Sequence, residues 1–178
     1  AYYQTIDDQG TGDLFSGSST YGSLGLQLGA THSDLFAGIG TGVEVSVIEE
    51  SNGFSSNITG GNAQTESASL TQAYLTYGME SINTSLKVGR QTLPKSLSPF
   101  AYSEGWQMFK NTFDAALVVN TSIPDTALVY AYVLNANRSV GEALTESSFT
   151  KVAAWAGLPA EGGVHMVTAQ NKSISNLT

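Results

Sequence analysis

The chain has no cysteine, which removes disulfide staples, thiol catalysis and cysteine-bound metals. Charge is scarce as well. Asp, Glu, Lys and Arg make up 12% of its 178 residues, about half the share of an ordinary globular domain. Basic charge is missing altogether from the first part. No Lys or Arg precedes Lys87, while residues 1–86 carry nine acids: Asp7, Asp8, Asp13, Asp34, Glu44, Glu49, Glu50, Glu66 and Glu80. The remainder holds seven basic residues against six acidic ones. The net charge of −8 argues against nucleic-acid binding by phosphate neutralisation. No stretch reaches the roughly 18 consecutive apolar residues of a membrane helix, so the chain is not a helical membrane protein. A signal-peptide pattern is also missing, which is neutral for an exported protein that has shed its leader.

Site chemistry is equally thin. His32 falls in a tight turn and His165 in a strand-like stretch, without ligand spacing, so neither a metal nor a cofactor is expected. No nucleophile can be paired with a base, and the acids fall mainly in loops, so the chain does not read as an enzyme. The run Gly38-x-Gly40-x-Gly42 lacks the strand-turn-helix setting of a phosphate loop.

What the chain does have is alternation. Leu24, Leu26 and Leu28 oppose Ser23, Gly25, Gln27 and Gly29; Ile39, Thr41, Val43, Val45 and Val47 oppose Gly38, Gly40, Gly42, Glu44 and Ser46. A period of two is the mark of a strand with two unlike faces. Similar stretches recur at 2–5, 70–79, 84–93, 113–120, 128–134, 149–158 and 164–170. Tight turns are expected at 31–34, 80–83, 122–125 and 159–162, alternating with long polar segments at 7–20, 49–69, 94–110 and 136–148. A short-long rhythm puts every tight turn at one end of a sheet and every long loop at the other, as in transmembrane β-barrels. The expectation is an all-β, antiparallel, up-and-down transmembrane β-barrel, with about nine strands present of a larger barrel. Residues 1–178 read as the N-terminal portion of one barrel domain, incomplete at its C-terminus, because nine is odd and a partial barrel leaves unpaired edges in lipid.

In a barrel the alternating faces are inverted relative to a soluble sandwich: apolar toward lipid, polar or small toward the lumen. Leu24, Leu26, Leu28, Val43, Val45 and Val47 are therefore expected to face away from the axis. Gln27, Glu44, Lys87 and Asp114 are expected to face it. Arg90 alternates with Leu86 and Val88, so either a bulge at Gly89 re-aims it or it sits near the edge of the apolar band. Tyr2, Tyr3, Tyr21, Phe36, Tyr74, Tyr77, Phe113 and Phe149 lie near strand ends, where an interfacial aromatic belt would sit.

The stretch Ala73-Tyr-Leu-Thr-Tyr77, Thr84-Ser-Leu-Lys-Val-Gly-Arg-Gln91, a Pro-containing loop, Asn111-Thr-Phe-Asp-Ala115 and Ser122-Ile-Pro-Asp-Thr126 resembles the OprD-type outer-membrane porins. The resemblance is especially to the major porins of campylobacter-like (epsilon-class) bacteria. The opening Ala1-Tyr-Tyr-Gln-Thr5 resembles that family's first strand. The specific motifs lie within 84–126, and the layout carries over roughly residues 1–135.

The resemblance implies an outer-membrane barrel of about 16–18 strands, monomeric or a homotrimer, in contact with outer-membrane lipid and lipopolysaccharide. It implies passive diffusion of small hydrophilic solutes or ions, a third long loop folded inward as a constriction, and a ladder of basic residues on one wall. By rank, 94–110 is that loop, with Phe100, Tyr102, Trp106 and Phe109 as its anchors. The pore-lining candidates are Lys87, Arg90, Glu104, Lys110, Asp114, Arg138 and Lys151. The alternative is a non-channel surface β-protein, an adhesin or small structural barrel or sandwich, that binds partners through its long loops.

Overall fold

The structure is a computed structural model and describes residues 2–5, 20–50, 67–105, 109–137, 149–152 and 162–173. Within them lies one antiparallel sheet of β1 (Tyr2–Thr5), β2 (Thr20–Phe36), β3 (Ile39–Glu50), β4 (Ser67–Met79), β5 (Thr84–Gln91), β6 (Phe113–Asn120), β7 (Thr126–Asn137), β8 (Phe149–Lys151) and β9 (Val164–Asn171). From β1 to β8 each strand pairs with its neighbour in sequence, and β9 also pairs with β7. This is the up-and-down order expected from alternating short and long connections.

Among the described residues three connections are tight, and all lie at one end. Between β2 and β3, Ala37 (φ 51°) and Gly38 (φ 80°) form the two-residue reversal, with positive φ at both positions as a hairpin turn of matching twist requires. The turn expected at 31–34 is therefore displaced. Thr31-His32-Ser33-Asp34 stays within β2, where the register shifts between His32 and Phe36. Asp34 acts as a cap instead, its Oδ1 accepting the Gly38 amide at 2.9 Å. The β4–β5 connection is a 3₁₀ turn, Glu80–Ile82, closed by Asn83 in the left-handed region (φ 44°). The β6–β7 turn runs through Pro124 and Asp125 (φ 54°), and the Asp125 carbonyl then accepts the Lys172 amide at 2.8 Å.

The far edge of the sheet differs from expectation. β8 pairs with Asn135–Asn137 and β9 with Thr126–Val133, both antiparallel to the same edge of β7. They therefore run in one direction along one edge of β7. Among the described residues nine strands fill eight positions, so the odd count expected from the sequence becomes an even number of positions. The turn expected at 159–162 lies outside the described residues except for Gly162.

Antiparallel partners point to the same side of a sheet, so the register sorts the side chains. One face carries Leu24, Leu26, Leu28, Val43, Val45, Val47, Leu75, Tyr77, Val88, Leu128, Tyr130 and Val167, and it is open. Leu26 is 58% exposed and Leu28 65%. The other face carries Gln27, Glu44, Ser46, Tyr74, Thr76, Lys87 and Gln91 on β2–β5, and Phe113, Ala115, Leu117, Val129, Ala131, Val133 and Met166 on β6–β9. The core sits on this second face, where Leu93, Leu97 and Ala101 of the β5–β6 loop pack onto the apolar β6–β9 half.

Candidate functional site

The loop from Thr92 to Thr112 folds back over the sheet. It leaves β5 at Leu93, which is fully buried, and turns at once: the Pro94 carbonyl accepts the Leu97 and Ser98 amides at 3.1 and 3.0 Å. It returns at Ser103, whose amide donates to the Leu93 carbonyl at 2.8 Å and whose Oγ accepts the Leu93 amide at 3.0 Å. Further along, the Glu104 amide donates to Asn111 Oδ1 at 2.7 Å and the Thr112 amide to Asn137 Oδ1 at 2.6 Å. These backbone groups, having left the ladder, find partners within the loop or on β7, as buried ones must.

Among the described residues, the buried contacts of the loop are aliphatic, and Phe100, one of the expected aromatic anchors, is not among them. Burying Leu93 alone is worth about 1.5–3 kcal/mol, and Leu97 and Ala101 add to the same patch. Phe100 is 88% exposed and anchors nothing. Tyr102 and Phe109 are half-buried, with Lys95 Nζ 4.7 Å from the Tyr102 ring centroid. Trp106 lies outside the described residues.

Beside the loop, the same face is polar across β2–β5. Glu44 is held by the wall: its Oε1 accepts from Gln27 Nε2 at 3.0 Å and from Thr71 Oγ1 at 2.8 Å. Ser46 Oγ ties Gln27 and Thr71 together at 2.9 and 2.8 Å. One step toward the tight turns, the Lys87 ammonium stands 3.7 Å from the Tyr74 ring centroid, a cation over the electron-rich face of the ring. Tyr74 can lie flat there because Gly42 opposite it has no side chain, and a methyl at Gly42 would overlap the ring. The glycine-rich face is thus a seat for one aromatic ring. The site presents a fixed carboxylate, a fixed ammonium and several hydroxyl and amide groups.

The candidates divide sharply. Lys87 lies on the loop-covered face; Glu104, half-buried, and Lys110, exposed, lie in the loop. Arg90 and Asp114 are direct cross-strand partners on the face of Val88 and Ala116, the open one. Asp114 therefore does not share the Lys87 face, contrary to the expectation. It pairs with Arg90 instead, Nε to Oδ1 at 2.9 Å, with side chains 13% and 26% exposed. Gly89 (φ 120°) introduces no break in the β5 pairing, so no bulge re-aims the arginine. Alternation misreads β6 because the loop makes its covered face apolar too: Phe113, Ala115 and Leu117 lie on the loop-covered face, and Asp114 on the open one. Lys151 stands opposite Asn135 at the end of β8, and Arg138 lies outside the described residues. No basic ladder is assembled among the described residues.

The aromatic belt divides in the same way. Phe36 and Tyr77 are exposed near the tight turns, whereas Tyr74 and Phe113 lie on the loop-covered face. The side chains of Tyr2, Tyr3, Tyr21 and Phe149 lie outside the described residues. Sequence reasoning missed Leu93, Leu97 and Ala101 as anchors. The spacing of leucines around Pro94 was the available signal.

No protein-family model matches the chain, and no curated protein matches it. Among solved structures, the crystal structure of Pseudomonas aeruginosa OpdL, a β-barrel porin of the OprD family, is similar. The TM-score is 0.54 at 17% identity, covering 88% of this chain and 38% of OpdL. The chain thus spans well under half the length of that porin, and what the likeness carries is the fold: an antiparallel β-sheet of the OprD-like porin type.

Proposed function

We propose that this sheet is part of the wall of an outer-membrane diffusion channel for small hydrophilic solutes or ions. The observation that carries the reading is the two-sidedness of the sheet. One face exposes leucine and valine to the surroundings, while the other holds polar groups beside a loop folded onto it. A soluble sandwich would bury the first face against a second layer and leave the other outward in water; a barrel turns the apolar face outward to lipid and closes the polar one around a water-filled lumen. Lipid and lipopolysaccharide then contact the Leu24–Val47 surface, and solutes pass along the Glu44–Lys87 wall beside loop 92–112. The loop narrows the passage, with Glu104 and Lys110 contributing charge from its side. Selectivity comes from width and from these few charges, without catalysis or a cofactor. The motifs between 84 and 126 extend the proposal to the major porins of campylobacter-like bacteria.

Planar-bilayer recording of the purified full-length protein tests the reading. Stepwise single-channel conductance is the expected result. A protein that folds and inserts but passes no current would instead favour a surface protein that binds through its loops.

A further inference from the structure

On the opposite half of the covered face from Glu44, a small cleft separates the loop from β6 and β8. Phe100, Tyr102, Glu104, Asn111, Phe113 and Val152 line a cavity of about 190 Å³, room for about six waters at about 30 Å³ each. Its floor is buried, since Asn111, Phe113 and Val152 all lie inside. Its lip is the exposed ring of Phe100, a large aromatic group that secures nothing in the fold.

The walls of the cleft are fixed before anything enters it. The Pro94 carbonyl holds the Leu97 and Ser98 amides, and the Ser98 hydroxyl donates to the Ala101 carbonyl. The backbone on both sides of Phe100 is thus tied down while its ring stays outside. Ser103 is bonded twice to Leu93, and the Glu104 amide donates to Asn111 Oδ1 at 2.7 Å, which sets the base of the carboxylate beside the floor. Of the described lining residues Glu104 alone is charged; Lys95 and Lys110 of the same loop are not among them. An apolar floor, an exposed ring and one charged group make up the usual parts of a small-molecule site.

We propose that this cleft binds a small organic cation that carries an apolar ring, a benzyl-type amine being the simplest form. The ring lies against Phe113 and Val152 with Phe100 beside it, and the ammonium turns to Glu104. The ring leaves water for an apolar floor and pairs with Phe100, while the ammonium keeps a charged hydrogen-bond partner. A carboxylate fits worse, because it meets Glu104 and finds no basic group on the lining. A hydrated inorganic cation fits worse too, because it leaves the two phenyl rings bare. The inference rests on the porin reading for the route by which a solute reaches this face. A ligand held here stands beside the loop that narrows the passage, so it delays its own class and lowers the current of other ions.

Benzylammonium is the probe, with propylammonium as the charge without the ring and benzyl alcohol as the ring without the charge. Saturation-transfer NMR on the folded full-length protein in detergent, net of empty micelles, should rank benzylammonium several-fold above both. Phe100→Ala, a change at an exposed ring, should weaken benzylammonium by about 2- to 12-fold, the worth of one aromatic pair. Glu104→Gln should bring it down to the level of benzyl alcohol and remove the salt dependence of its binding. In planar bilayers the amine should interrupt the current of the parent for longer than that of either variant. Benzyl alcohol bound as tightly as benzylammonium overturns the proposal, as does equal binding of benzylammonium by the parent and Phe100→Ala. Binding with these dependences in a protein that carries no current upholds the cleft and sinks the porin reading. Current through a protein whose amine binding ignores both substitutions keeps the porin reading and sinks the cleft.

Discussion

Tyr74 owes its position to a residue without a side chain. Because Gly42 leaves room under the ring, Tyr74 lies flat and carries the Lys87 ammonium above it. Gly42→Ala should cost about 1–3 kcal/mol by overpacking, and Tyr74→Ala in the same chain should recover part of the loss. The unfolding midpoint of the lipid-embedded protein reads both, and a double variant no better than the single would show that the ring is not what the methyl meets. Lys87→Glu places a negative charge on the wall that holds Glu44. The reversal potential under a salt gradient should then move toward cation preference, and an unmoved potential would take Lys87 out of the permeation path. Alternation in the sequence identified Gln27, Glu44 and Lys87 as one polar face. It could not identify Asp114, because its rule that the apolar side faces lipid fails wherever a loop makes the covered side apolar as well. The Arg90–Asp114 pair links residues 24 apart and is visible only through the β5–β6 register.

Loop 92–112 decides how the β6–β9 half of the covered face is used. Its grip is the Leu93, Leu97 and Ala101 patch, with the Leu93–Ser103 bonds closing the base. Deleting residues 97–107 should raise single-channel conductance, since the segment that lies over the wall is gone. Unchanged conductance in a variant that still inserts would reject the loop as the narrow point. Strand-like stretches were legible because each has a clear period of two, and the ends of β4, β5, β6 and β7 fall within a few residues of expectation. The β2–β3 reversal was not, because its signal residues mislead: Asp34 caps a turn that Ala37 makes, and alanine carries no turn signature. The collinearity of β8 and β9 was also hidden, since nothing local to Phe149 or Val164 says that both will choose β7. Aromatic residues drew attention to Phe100, which the structure leaves exposed, and away from aliphatic anchors whose chemistry looks ordinary in a sequence.

Across the whole sheet, the two faces make opposite demands on a new charge. Val45→Lys on the open face should destabilise the protein in lipid by about 2–4 kcal/mol near mid-band, whereas Gln27→Lys on the other face should cost no more than about 1 kcal/mol, the worth of the hydrogen bond to Ser46 it gives up. Urea unfolding in lipid vesicles separates the two, and equal losses would contradict the face assignment. The sequence showed this two-sidedness in Leu24–Leu28 and Val43–Val47, but not in β6, where Asp114 and Asn120 share a face with Ala116 and Val118 and the covered face is apolar. One consequence follows from the way β8 and β9 share the β7 edge. Each is positioned by its own bonds to β7, and β9 also by the Lys172 amide on Asp125, so each register is held by bonds made on either side of the interval between Val152 and Gly162. That makes the interval a place where descendants of this sequence can gain or lose length without changing the number or direction of the strands, and a foreign peptide spliced in after Val152 should leave the heat stability of the protein close to that of the parent.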